Sequence, residues 1–222
     1  RHLAHEVEVP FKHQIIFEND EFMVVDKPHF LTVSPTGQYV QQTLLTRLKK
    51  ETNNPHLTPI HRLDRETAGL ILISKNPATR GIYQQMFAEK TVQKTYHAIA
   101  PFNAEIEFPR QFCGRMEKGE PFYTMKIVEG EINSITEIDI LEHHQDWAKY
   151  ELKPITGKQH QLRVHMNALG LALKNDRFYP EVTHQEIEDF DQPLQLLAKT
   201  IAFIDPITKQ QMQFSSKQNL SL

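Results

Sequence analysis

Apolar residues recur along this chain at spacings that change character several times. Ile15-Ile16-Phe17 and Phe22-Met23-Val24-Val25 read as two short strands around the turn formers Asn19 and Asp20, a hairpin whose second strand ends at Lys27-Pro28. A loop through Ser34-Pro35-Thr36-Gly37 leads to Val40, Leu44 and Leu48, four residues apart, which predicts an amphipathic helix packed on the sheet. The apolar run Leu70 to Ile73 predicts a buried strand. Asn76-Pro77 then opens a helix, with Asn76 as cap, Ile82, Met86 and Phe87 inward, and Arg80 and Lys90 left to solvent or phosphate. Val92 to Ala100 returns as a strand containing Tyr96.

From 101 to 156 apolar positions alternate at Phe122, Met125 to Val128, Ile135, Ile138, Ile140, Trp147, Tyr150 and Leu152, which predicts several antiparallel strands. Thr156-Gly157 marks a turn. His160 to Leu169 then predicts a helix stopped by Gly170. Leu162, Met166 and Leu169 share one face of it, and His160, Arg163 and Asn167 share another that can point into a cleft. Leu194 to Ile204 and Gln210 to Phe214 close the chain as two strands joined through Asp205-Pro206.

With 222 residues and 39% apolar content, one domain with a substantial core is the expectation. No apolar run approaches the ~20 residues that cross a bilayer, and residues 1–12 hold no signal-peptide core, so the chain reads as soluble and cytoplasmic, without a membrane partner. Cys113, the single cysteine, excludes an intramolecular disulfide framework and a cysteine-rich zinc site, and reads as a reduced structural thiol. Among twelve histidines, His160 and His165 are five apart and so face different ways on a helix, while His143-His144 and His2/His5 lack ligand partners in a motif. No metal is expected. Eight glycines form no phosphate loop, so no nucleotide cofactor is expected either.

Net charge is −3, which does not advertise a nucleic-acid binder, but the distribution is uneven. Six Lys or Arg face three acids between His61 and Tyr96, and six face two between Lys149 and Arg177. Glu181 to Asp191 carries five acids and no base, and reads as a solvated segment turned away from phosphate.

Within the first basic window, His61-Arg62-Leu63-Asp64-Arg65-Glu66-Thr67-Ala68-Gly69 sets one carboxylate between two guanidiniums at a strand edge. Positive neighbours favour the anion, and an ionised Asp64 can serve as nucleophile, base or electrostatic stabiliser. Taken as chemistry alone, such clusters are more often structural ion pairs. A glycoside hydrolase using Asp64 with Glu66 is one alternative, although such pairs normally come from separate elements across a cleft. An RNA-binding module without activity is another.

This stretch resembles the HRLDxxTSG-like signature of the RluA-type pseudouridine synthases. Val25-Asp26-Lys27-Pro28, Lys94-Thr95-Tyr96-His97-Ala98 and Gly157-Lys158-Gln159-His160-Gln161-Leu162-Arg163-Val164-His165 match further stretches in the family's order, over roughly residues 14 to 215. The resemblance implies an α+β catalytic domain over 14–222 behind an N-terminal extension of residues 1–13. That domain is a mixed, largely antiparallel sheet with helices and loops around a cleft, acting as a monomer on structured RNA, rRNA or tRNA. It implies that Asp64 is the catalytic residue, that Tyr96 stacks on the uracil and helps move a proton, and that Arg163 pairs with Asp64. Arg62 is placed to fill the vacated stack or hold a phosphate; Arg65, Arg80, Lys158, His160 and Lys174 are further RNA-binding candidates, and Leu162 a uracil contact. Lys27 is given a structural role.

The chain departs from the family pattern at a few places. Ala68 replaces Ser, Lys158 stands where Arg is common and Leu162 where Ile is common. Asn175-Asp176-Arg177-Phe178-Tyr179-Pro180 replaces a GD-x-x-YG-like stretch and loses the Gly at each end, which leaves the path of that loop open. No S4-like RNA-binding domain is visible, so target recognition is expected from the catalytic domain and any preceding segment.

Overall fold

A computed structural model describes residues 6–185 and 187–222. His2, His5 and Glu186 lie outside the described residues. In chain order the elements are β1 (Gln14–Glu18), β2 (Phe22–Lys27), α1 (Leu44–Thr52), β3 (Thr58–Pro59), β4 (Ala68–Ser74), α2 (Arg80–Ala88) and β5 (Gln93–Pro101). They continue as β6 (Arg110–Lys118), β7 (Met125–Val128), β8 (Ser134–His144), β9 (Trp147–Pro154), α3 (Gln161–Ala168), β10 (Leu196–Ile204) and β11 (Gln211–Ser215). The described residues fall into two compact units, 6–93 with 200–218, and 94–185 and 187–199 with 219–222.

In the first unit the strand order is β1-β2-β4-β10, with β3 on β4 and β11 on β10. The pairs β1/β2, β2/β4, β3/β4 and β10/β11 are antiparallel. The hairpin around Asn19 is as expected: its Oδ1 accepts from the backbone N–H of Glu21 and Phe22, both at 2.9 Å, so the side chain closes the turn. All residues of β2 and β4 are buried, the mark of strands covered on both faces. Phe22, Val24, Leu70, Leu72, Tyr83, Met86, Ile201 and Phe203 form the core.

Both helices of this unit begin later than their spacing predicts. Thr43 caps α1, its side chain accepting from Thr46 N at 3.0 Å, so Val40 stays outside the helix and exposed while Leu44, Leu45 and Leu48 turn inward. Asn76 organises a turn ahead of α2, accepting from Ala78 N at 3.0 Å, and the helix starts at Arg80. That offset rotates the inward stripe onto Tyr83 and Met86 and leaves Ile82 exposed. Tyr83 was outside the expected face. Its buried hydroxyl donates to the Asp205 carboxylate at 3.0 Å, a partner 122 residues away.

In the second unit the order is β10-β5-β9-β8-β6-β7, with β5/β9, β8/β9, β6/β8 and β6/β7 antiparallel. Ala98, Ala100, Ile138, Tyr150 and Leu152 point from the strands into a core completed by Leu162 and Met166 of α3. Gly170 ends that helix at φ +77°, a left-handed position that suits glycine. Cys113, expected to be structural, is exposed on β6.

Candidate active site

In the first unit the signature is held by its backbone. His61 stacks on Phe87 with ring centroids 4.2 Å apart, and its Nε2 accepts from Leu72 N at 3.0 Å, so this histidine pins the start of the loop to β4. A turn follows in which Thr67 N donates to Asp64 O at 3.1 Å. The next two carbonyls are caught by the segment leaving β2. Lys27 Nζ donates to Arg65 O at 3.0 Å and to Pro28 O at 2.9 Å, and His29 Nδ1 donates to Glu66 O at 2.8 Å. Gly69, opposite Lys27 in the β2/β4 register, has φ +118°, a conformation closed to side-chain-bearing residues. Three consecutive carbonyls are therefore fixed at Asp64, Arg65 and Glu66, and Asp64 is half-buried on a loop with little freedom to move.

Burial governs the charges here. Lys27 is fully enclosed, and desolvation pushes its amine down to about 7 against the pull of the Glu66 and Asp64 carboxylates. Burial likewise pushes His29 down to about 4, so it is neutral at pH 7 and donates through Nδ1. Asp26, beside Lys27 on β2, accepts from Ser216 Oγ, Lys217 N and Gln218 Nε2 and ties the chain's last segment to the same strand.

In the second unit Tyr96 stands opposite Leu152 on β5 and packs, partly buried, against the cluster that contains Leu162. Arg163 is not the surface helix residue its position allows, being 1% exposed. Within this unit it makes a bidentate contact with Asp176: Nε donates to Oδ2 at 3.0 Å and Nη2 to Oδ1 at 2.7 Å. Phe178 and Tyr179 cover the guanidinium at 4.9 and 5.6 Å from its carbon to the ring centroids. At Arg163, then, the polar face of α3 is covered by residues 176–179.

The loop whose path the missing glycines left open is well formed. Asn175 takes the left-handed conformation at φ +65°, which asparagine tolerates, and Asp176 Oδ1 also accepts from Phe178 N at 2.9 Å. Tyr179 Oη accepts from Met125 N at 2.9 Å and shares a hydrogen bond with His160 Nδ1 at 2.7 Å. Asp176 and Tyr179 were missed as positioning residues although the loop keeps both family letters. The signal lay in the sequence, where Asp176 and Tyr179 keep the acidic and aromatic positions of the stretch.

The RNA-binding candidates separate by exposure. Arg62, Lys158 and Lys174 are exposed, Lys174 with its ammonium 4.8 Å from the Trp147 ring centroid. Arg80, expected to be left to solvent or phosphate, is half-buried, because Nη2 donates to His56 O at 2.7 Å. Arg65 donates to Phe30 O at 3.1 Å with the Tyr39 ring 5.2 Å away, and His160 is half-buried against Tyr179. The two basic windows are thus partly spent on internal contacts. Lys75 pairs with Glu18, Lys153 with Glu151, and Arg177 with Glu188 of the acidic segment.

Among the described residues, no three His, Cys, Asp or Glu side chains come together as a metal site, and no helix is long and apolar enough to cross a membrane. His165 is buried between Ser134 Oγ and Thr136 Oγ1, and His143 stacks on Phe102.

The chain is similar to known proteins over most of its length. The family described as RNA pseudouridylate synthase matches residues 21–168. The dual-specificity RNA pseudouridine synthase RluA of Vibrio parahaemolyticus is 30% identical over 86% of this chain and 78% of its own. An uncharacterized RNA pseudouridine synthase of Mycoplasma genitalium is 27% identical over 91% of this chain, which spans 66% of that relative's length. The solved structure of human RNA pseudouridylate synthase domain containing 1 superposes with a TM-score of 0.77 at 25% identity, covering 96% of this chain and 86% of that one. The glycosidase reading of Asp64 and Glu66 is set aside accordingly, and the chain belongs to the RNA pseudouridine synthases, in the RluA-type family.

Proposed function

We propose that this chain isomerises uridine to pseudouridine in a structured rRNA or tRNA, with Asp64 as the catalytic residue. The observation that carries the reading is the pinned signature loop, in which the carbonyls of Asp64, Arg65 and Glu66 are each held by a hydrogen bond around the one family carboxylate. A fixed carboxylate suits a reaction whose barrier is lowered by placement. The N1–C1′ bond breaks, the uracil turns, and C5 joins C1′; C5 loses a proton and N1 gains one, so no cofactor is consumed. Asp64 acts at the sugar, as nucleophile on C1′ or as base toward the ribose, and both routes need the anion. Tyr96 supports the detached ring and helps move a proton, and Arg163 pairs with the Asp64 carboxylate and positions it. A target inside a helix is flipped out first at a cost of a few kcal/mol, and the exposed Arg62 is suited to the vacated stack. We place the protein in the cytoplasm, as a monomer.

The test is tritium release from C5-labelled uridine in RNA. Wild type should release tritium, whereas Asp64→Asn should abolish release and keep RNA affinity within a few fold. Turnover retained by Asp64→Asn refutes the assignment. A wild type that binds RNA and releases nothing would make the chain an RNA-binding module.

A further inference from the structure

The turn between β6 and β7 displays an aromatic side chain that the fold itself does not use. Phe122 is 78% exposed. Single exposed apolar residues are ordinary, so exposure alone means little. Here, however, the turn is built to hold its shape. Gly119 N donates to Thr124 O at 2.9 Å, and Pro121 O accepts from both Thr124 N at 2.9 Å and Thr124 Oγ1 at 2.7 Å. A Cβ on Gly119 would lie 2.8 Å from Thr124 Oγ1, so glycine is required for this closure. Just past the turn, Met125 N donates to Tyr179 Oη at 2.9 Å.

The ring is also continuous with deeper parts of the same unit. Phe122 meets Tyr123 edge-on at 5.6 Å, Tyr123 tilts against Phe178 at 5.4 Å, and Phe178 lies over the Arg163 guanidinium. Lys118 at the end of β6 and Lys158 are exposed, and the turn itself also carries the exposed Glu120. Lys118 Nζ donates to Gln159 Oε1 at 3.2 Å, which brings the β6 end to the residues preceding α3. An outward aromatic on a stiff turn, flanked by lysines, matches the requirement of an unstacked nucleotide: a flat face for the base and positive charge for its phosphates.

We infer that the Gly119–Thr124 turn is an RNA-contacting element in which Phe122 stacks on an unpaired base of the substrate while Lys118 and Lys158 take the adjoining phosphates. This rests on the proposed RNA substrate and adds Phe122 and Lys118, which lie outside the family signatures, to Lys158, already an RNA-binding candidate. The rigid turn keeps the ordering cost of the aromatic platform low.

Phe122→Ala, Phe122→Trp and Lys118→Ala should be compared with wild type for binding to transcripts of tRNA and of rRNA fragments, across a range of salt. Loss of one base–aromatic stack should weaken binding by about 5- to 150-fold in Phe122→Ala. Phe122→Trp should restore it. The salt slope should be unchanged in Phe122→Ala and flatter by about 0.7 in Lys118→Ala. Melting temperature should not move in Phe122→Ala, because the side chain packs on little. Phe122→Ala affinity within twofold of wild type overturns the inference, and so does failure of Trp to rescue. Should Phe122→Ala instead lose only a co-purifying protein, the turn serves a protein partner and the inference is likewise overturned. Tritium release by wild type reads the enzymatic assignment separately, so a Phe122-dependent binder that releases none would leave this contact standing and remove the activity.

Discussion

Asp176→Asn tests what holds Arg163 in place in the second unit. The substitution keeps the shape of the side chain and removes its charge. In the native chain both carboxylate oxygens receive a guanidinium N–H, and Oδ1 also receives Phe178 N, while the two side chains are 2% and 0% exposed. A surface pair would contribute about 0–1 kcal/mol, but at this depth water cannot replace the lost charge. Removing one partner of a buried pair costs about 3–5 kcal/mol, because the other loses a counter-charge that water does not replace. The asparagine amide adds a conflict by turning an N–H toward a guanidinium N–H. Trp147, the single tryptophan, lies in the same unit and reports its unfolding by fluorescence in urea. The expected result is a midpoint shift equivalent to about 3–5 kcal/mol with the urea dependence unchanged. Combined with Arg163→Met, the loss should be well below the sum of the two single losses, as for residues that share one interaction. A loss under about 1 kcal/mol, or strict additivity, would refute the reasoning.

Two pH dependences follow from burial. The folded-state pKa of Lys27 is depressed to about 7 from 10.5, so between those values the unfolded chain binds more protons and stability should rise with pH, by at most about 1.4 kcal/mol per unit. Lys27→Met should lack this rise, and equal pH slopes in the two proteins would refute it. His29 and His165 are both pushed down to about 4 by burial, so the stability they confer is full above pH 6.5 and is lost as pH falls toward 4. Urea midpoints should drop across that window and drop less steeply in His165→Gln; a flat profile would contradict the burial argument.

Much of this protein is legible in local sequence, because the forces that set those parts act over a few residues. The β1/β2 hairpin follows from turn formers between two apolar runs, and the end of α3 from a glycine after the last inward leucine. The alternating positions of β8 and β9 place Ile138, Tyr150 and Leu152 in the core as expected. Asp64 is found by a contiguous motif, and the apolar run that follows locates β4, the strand its loop leads into.

What the tertiary structure decided are the partnerships between distant residues. Periodicity finds a helix but not its first residue: α1 starts after the Thr43 cap and leaves Val40 outside it, and α2 turns Tyr83 inward and leaves Ile82 at the surface. Nothing in the spacing of α3 distinguishes a surface arginine from Arg163, which is buried because Asp176 lies on a loop that folds back over it. Lys27 reads as an ordinary strand-end lysine, yet it sits wholly enclosed with its amine against Arg65 O. Burial and charge pairing depend on which segments meet in space, and that is settled only when both surfaces are packed.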